Sequence, residues 1–203
     1  KDTNIRSGLP TQTGGNDFEL GGGKSGTNVI RGLLQFDLSS IPNATSIMDA
    51  NLNLWYSSTN NNTPIAISVH KVTKGWEENQ ANWNSAKASP ITPWTVKGGD
   101  FINTPLSTVS GLAEPMDLVA GEIKWDIPTS LVNSWITNPQ TNFGVILKSD
   151  TEDVSTYKKF ISSEHSIDSK YHPLLVVTYK TNARLGLENH WDYDSHPLEG
   201  GSS

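Results

Sequence analysis

Residues 76–84 read Trp-Glu-Glu-Asn-Gln-Ala-Asn-Trp-Asn, two indoles around a short polar run that follows an alternating segment, Ile65 to Val72. An indole is seldom left unburied, and Glu and Asn do not enter a core without partners. The stretch must therefore be a shaped loop that holds ring faces beside amides and carboxylates. Two readings fit. In one, the rings are a platform for sugar C–H faces, with Glu77, Glu78, Asn82 and Asn84 as hydroxyl partners. In the other, Trp76 and Trp83 pack down and Asn84 ties the loop to the backbone.

Other rings bear on the choice. Trp55 shares parity with Asn51 and Asn53 rather than with Leu52, Leu54 and Tyr56, while Trp94 and Tyr157 fall in or beside loops. These three, being off the buried pattern, are expected to supply the exposed sugar-stacking surface. Trp135 lies on the apolar stripe of the expected helix and Trp125 just before it, so core packing is expected for both.

Catalysis finds little support. The chain has no Gly-x-Ser-x-Gly and no His-Glu-x-x-His. Glu77 and Glu78 are adjacent, so on extended backbone they point to opposite sides and cannot flank one glycosidic bond. His165, His172, His190 and His196 are scattered. A non-enzymatic role is expected.

Composition narrows the class further. Across 203 residues, hydrophobic content is 34% and charged content 18%, with Asn, Ser, Thr and Gly making up the difference. Extracellular β-proteins have this balance, because uncharged polar residues fill their turns and outward strand faces. There is no Cys, so no disulfide framework or thiolate metal site exists, which points weakly to a Gram-positive surface. A formal charge of −6 disfavours nucleic acid and anionic membranes as partners. No apolar run approaches the roughly 20 residues of a membrane span. Lys1 is an unusual start, so the chain reads as a piece of something longer.

The elements that must position these residues are mostly strands. Short strands are expected at Asp2–Arg6 and Asp17–Leu20. Ile30, Leu34, Phe36 and Leu38 mark a strand from Val29 to Leu38, with Leu33 breaking the parity, and others run from Ile47 to Tyr56 and from Ile65 to Val72. The stretch from Ser85 to Glu122 carries Pro90, Pro93, Pro105 and Pro115 and is read as excursions containing at most one strand. One helix is expected from Pro128 to Thr137, capped by Asp126. Three further strands cover Phe143–Ser149, Lys158–Ser163 and His172–Lys180. Short strands, frequent turns and one short helix give an all-β, jelly-roll-like antiparallel β-sandwich over residues 1–180. Residues 181–203 lose the alternation and read as a linker or the start of a following region.

The ordered motifs are distinctive: Asp2-Thr3-Asn4-Ile5; Leu20-Gly21-Gly22; Arg31-Gly32-Leu33-Leu34-Gln35-Phe36-Asp37-Leu38; Ala50-Asn51-Leu52; Gly75-Trp76-Glu77-Glu78; Trp125-Asp126-Ile127-Pro128; and Pro173-Leu174-Leu175-Val176-Val177-Thr178-Tyr179. From Asp2 to Lys180 this resembles the DNRLRE-type domain, related to disaggregatase repeats and to a carbohydrate-binding module family. The resemblance implies an extracellular or cell-wall-associated jelly roll whose ligands, where known, are polysaccharides. It also implies that the double-Trp loop marks the architecture. Gly186-Leu187-Glu188-Asn189-His190-Trp191-Asp192-Tyr193 looks like the lead into an RHS/YD-repeat shell of a Gram-positive wall-associated toxin.

Binding modules of this kind often hold a structural Ca²⁺ near their termini. Asp2 and Glu164 are the expected ligands, with Asp17 and Asp37 as further candidates; otherwise Asp37 starts a turn and Glu164 pairs with Arg31. The expected function is a non-catalytic module that binds cell-wall or other polysaccharide and tethers a larger protein, with downstream domains of the same chain as neighbours. The alternative is a structural or protein-interaction domain that packs against an RHS shell and binds no sugar.

Overall fold

The computed structural model describes residues 1–43, 45–113 and 121–181. Twelve strands and one α-helix follow in order: β1 (Asp2–Arg6), β2 (Glu19–Ser25), β3 (Asn28–Leu34), β4 (Thr45–Thr59), β5 (Ile65–Lys71), β6 (Ser85–Ala88), β7 (Ile91–Pro93), β8 (Ser107–Leu112), β9 (Glu122–Asp126), α1 (Thr129–Thr137), β10 (Val145–Ser149), β11 (Tyr157–Ile161) and β12 (Leu174–Thr181). Ten of the strands form one sheet in the order β12-β4-β11-β2-β3-β10-β5-β8, with β1 added beside β3 and β9 beside β4. The pairings are antiparallel, so the all-β, jelly-roll-like sandwich expected from the sequence is what the chain forms.

Strict alternation builds the main core. Leu52, Leu54 and Tyr56 of β4 meet Ile65, Ile67 and Val69 of β5, with Trp125, Phe160 and the α1 residues Val132, Trp135 and Ile136 closing the interior. Trp125 is fully buried and its Nε1 donates to the Ile67 carbonyl at 2.9 Å, which satisfies the indole in an apolar setting.

The opposite side of β1, β3, β5 and β10 carries a second, smaller core. Ile5, Leu33, Val72 and Ile146 meet Trp76, Ala81, Ala86 and Trp94 from the long connection after β5. Leu33, the residue that breaks the parity of β3, is fully buried here.

Several elements differ from expectation for identifiable reasons. β2 runs to Ser25 rather than stopping at Leu20, because Gly21–Gly23 is not a turn but an extended ribbon paired with Tyr157–Lys159 of β11. Gly23 has φ +128°, and a Cβ there would strike the Thr156 carbonyl, so a side chain is excluded. The excursion after Ser85 contains the β6–β7 hairpin and β8, and ends at β9. Asp126 does not cap α1: it is the last residue of β9, opposite Asn51, and the helix begins behind Pro128 with no side-chain cap.

Candidate functional site

The double-Trp loop is a latch. Trp76 is 2% exposed and its Nε1 donates to the Phe143 carbonyl at 2.9 Å. Asn82, rather than the expected Asn84, ties the loop: its Oδ1 accepts from the backbone N–H of Asn84 and of Ser85, both at 3.0 Å. Glu78 accepts the Asp2 backbone N–H at 2.7 Å, and Glu77 pairs with Lys87 at 3.1 Å. Trp83 is partly buried beneath the Arg31 guanidinium, 5.0 Å away. Arg31 holds Glu152 through two hydrogen bonds of 2.8 and 2.7 Å, so its acidic partner is Glu152 and not Glu164. Trp94, expected to be exposed, is 5% exposed: the short β6–β7 hairpin folds its ring into the second core, where Nε1 donates to the Asn82 carbonyl at 2.8 Å. A ring so covered cannot stack on a sugar, which removes Trp76 and Trp94 as platforms.

Tyr157 is placed differently. It stands at the start of β11 over the glycine ribbon, in an open cleft of about 410 Å³ lined by Asn4, Arg6, Asp17, Phe18, Glu19, Gly21, Asn28, Tyr157 and Lys159 among others. β1, β2 with its lead, β3 and the sequence-distant β11 make it. β2 pairs with β3 only from Gly23 onward, and the two part at this corner. Asn4 bridges the gap: its Nδ2 donates to the Glu19 carbonyl at 2.6 Å, and its Oδ1 accepts the Gly21 N–H at 2.8 Å. Of the buried glycine ribbon only Gly21 lines the cleft, beside Ile30.

The cleft walls are charged but paired. Asp17 is bonded to Arg6 and accepts from Asn4 Nδ2 at 2.9 Å. Glu19 accepts from Lys159 at 2.8 Å, Ser57 at 2.6 Å and Ser58 at 3.1 Å. Burial pushes the Glu19 carboxyl upward, but the Lys159, Ser57 and Ser58 hydrogen bonds outweigh it and hold the group below the usual carboxylate range. Phe18 at the rim is 62% exposed, and its ring meets His165 edge-on at 5.9 Å. Phe18, Arg6, Asn28 and Lys159 were not singled out from the sequence. The signals available were a glycine run flanked by Glu19 and the alternation of Tyr157 and Lys159 around the buried Lys158.

A larger groove of about 610 Å³ lies between α1 and the segment after β3, lined by Gln35, Phe36, Asp37, Leu38 and Trp135 among others. Its polar groups are committed elsewhere: Gln35 Nε2 donates to the Asn142 carbonyl, Asn142 Nδ2 to the Phe36 carbonyl, and Asp37 accepts the Ser39 N–H. Trp135 in its wall is 3% exposed and Phe36 is partly buried against the main core. Trp55 is partly buried on β4, edge-on to Tyr171 at 5.8 Å.

Of the expected metal ligands, Asp2 and Glu164 do come together. Ser163 N–H donates to Asp2 Oδ2 at 3.2 Å and Ser163 Oγ to Glu164 Oε1 at 2.9 Å, while Asp2 Oδ1 and Glu164 Oε2 are buried without a hydrogen-bond partner. Burial and the neighbouring Glu164 push the Asp2 carboxyl up to about 6, against the Ser163 hydrogen bonds. Asp37 is exposed in its own turn and Asp17 is neutralised by Arg6, so neither joins them. Among the described residues no three His, Cys, Asp or Glu side chains converge. The pair supplies two carboxylates toward the 6–8 oxygens that calcium takes, and either a shared proton or a cation between the two unpartnered oxygens would relieve their burial.

The tail residues 186–203, with the motif resembling an RHS lead, lie outside the described residues. No curated protein matches the chain. The model of the disaggregatase related repeat domain matches residues 2–177, from the first residue of β1 into β12. The chain therefore belongs to the disaggregatase related repeat domain family.

Proposed function

We propose that this domain is a non-catalytic polysaccharide-binding module, and that the cleft over the glycine ribbon is its binding site. One observation carries the reading: an open cleft that combines two exposed or partly exposed rings, Phe18 and Tyr157, with a ring of charged and amide groups. Sugars are recognised in this way, by rings against C–H faces and planar polar groups against hydroxyls. Both carboxylates are ion-paired, and Glu19 is held ionised, so neither is set up to remain protonated as a glycosidase acid must. On this reading the module sits outside the cell and tethers a larger protein to a wall or matrix glycan. Affinity is modest and is raised by multivalency.

The test is retention on an array of linear polysaccharides, peptidoglycan fragments and teichoic acids. Wild type is retained by at least one polysaccharide, and the Phe18→Ala/Tyr157→Ala double variant is not. Retention by none, or retention unchanged in the folded double variant, defeats the reading.

Protein docking is the second reading, and one observation favours it. β12 ends the strand order of the sheet and carries the exposed apolar residues Leu174, Val176 and Tyr179 in an uncharged run. Edge strands of that kind pair readily with other chains.

A further inference from the structure

The cleft does not stop at Tyr157. β4 and β2 are both neighbours of β11, so Trp55 stands two strand spacings, about 10 Å, from β2. Register puts Tyr56 opposite Phe160 and Glu19 opposite Ile161, so Trp55 and Glu19 flank Ile161, which is itself covered at 1% exposure. The Lys159–Glu19 pair, at 2.8 Å, forms the wall of the cleft toward Trp55, with the two side chains 33% and 28% exposed. Ser57 of β4 donates to the same Glu19, which makes the surface continuous from β2 to β4.

The connection between β11 and β12 forms a rim along this surface. Its His165 meets Phe18 at the cleft end, and its Tyr171 meets Trp55 at the other end. His172 Nε2 lies 3.0 Å from the His165 carbonyl and closes the rim between them. An aromatic side chain thus stands at each end of a polar strip.

Resting on the polysaccharide reading above, we propose that the site is an extended track for an internal stretch of a linear chain. One sugar occupies the Phe18–Tyr157 cleft, the chain crosses the Glu19–Lys159 pair, and a further sugar reaches the Trp55–Tyr171 pair. Trp55 then sets the length of glycan recognised, while Phe18 and Tyr157 set whether any is recognised.

Calorimetric titration tests this with cello- and chito-oligosaccharides of two to six units and with partial hydrolysates of any polysaccharide retained on the array. Wild-type affinity rises with length and then levels off. Trp55→Ala and Tyr171→Ala each remove the rise, weakening the longest oligomer about tenfold, and leave the shortest binding oligomer unchanged. Thermal melts of both variants establish that they fold, and Tyr171→Ala carries the test if Trp55→Ala does not. Affinity independent of length, or length dependence that survives in both variants, overturns the track and leaves the cleft. Binding indifferent to Phe18→Ala/Tyr157→Ala, or no binding by any oligomer, overturns the cleft reading and the track with it.

Discussion

The strap over the second core and the cleft over the glycine ribbon are made of the same residue types: aromatic rings, asparagine, glutamate and a basic side chain. They end with opposite roles. In the strap, the indole N–H groups of Trp76 and Trp94 are consumed by the Phe143 and Asn82 carbonyls, and the rings are covered. In the cleft, Phe18 projects into solvent and Tyr157 stands opposite a glycine, Gly23. The difference lies in what stands opposite each ring. Leu33, Ile146 and Ile5 offer the strap an apolar surface, and hydrophobic burial closes it. Over Gly21–Gly23 the β2 ribbon offers the cleft rings no apolar side chain to pack on. Residue type alone therefore does not mark a binding site; the facing surface decides.

The largest effect that separates the two regions is on stability. Trp94→Ala should cost about 3–5 kcal/mol, the range for emptying a buried aromatic site, in urea unfolding. Glycan retention by the fraction that remains folded should not change. If Trp94→Ala kept its stability and lost retention, the strap would be the binding site and the comparison would invert.

A second effect comes from the Asp2–Glu164 pair, which clasps the start of β1 to the end of β11. Burial and the neighbouring Glu164 push the folded Asp2 carboxyl up to about 6, above the usual aspartate range. A carboxyl raised in this way binds a proton in the folded state that the unfolded chain has already lost. Its favourable contribution is complete below about pH 4 and disappears as pH rises through 6. Unfolding free energy should fall by about 1–3 kcal/mol between pH 4 and 7 through this group. Asp2→Asn should flatten that limb. A melting temperature at pH 7.5 that rises with calcium and falls with EDTA would instead give the pair to a cation.

Legibility divided along the same line as the two regions. Ile65, Ile67 and Val69 alternate cleanly because one side of β5 meets the main core, and the helix stripe Val132, Trp135 and Ile136 was equally plain. Leu33 was visible only as an exception to parity, yet it reported the second core. Asp2 and Glu164 were paired correctly because their strand ends are adjacent. Trp94 was misplaced, since a three-residue strand with a proline gives no period to read. The cleft was mostly hidden. Tyr157 stood out, but Arg6, Phe18, Asn28 and Lys159 come from separate strands and connections, and Gly21–Gly23 read as punctuation. A glycine run signals a turn locally; only pairing with β11 makes it a floor.

That floor gives the third effect. Gly21 lines the cleft, and a Cβ there would come within 2.8 Å of Ile30 Cγ2, the branch methyl of a stiff side chain that must shift. Gly21→Val should fold with a loss of about 1–3 kcal/mol from overpacking and should reduce glycan retention about tenfold, since the new methyl groups occupy ligand space. At the strap, Gly75→Ala is the control: its Cβ would meet Phe143 at 3.4 Å, an ordinary contact, and retention should be unaffected.

The smallest stability effect is the sharpest test. Phe18 is 62% exposed, and its ring contact is a single edge-on approach to His165. Removing it should change unfolding free energy by no more than about 0.5 kcal/mol, as for other surface positions. If the ring is there for a sugar, Phe18→Ala should still weaken polysaccharide retention about tenfold, the value of one aromatic contact. Equal retention by Phe18→Ala and wild type would mean that the cleft rim, like the strap, serves the fold alone.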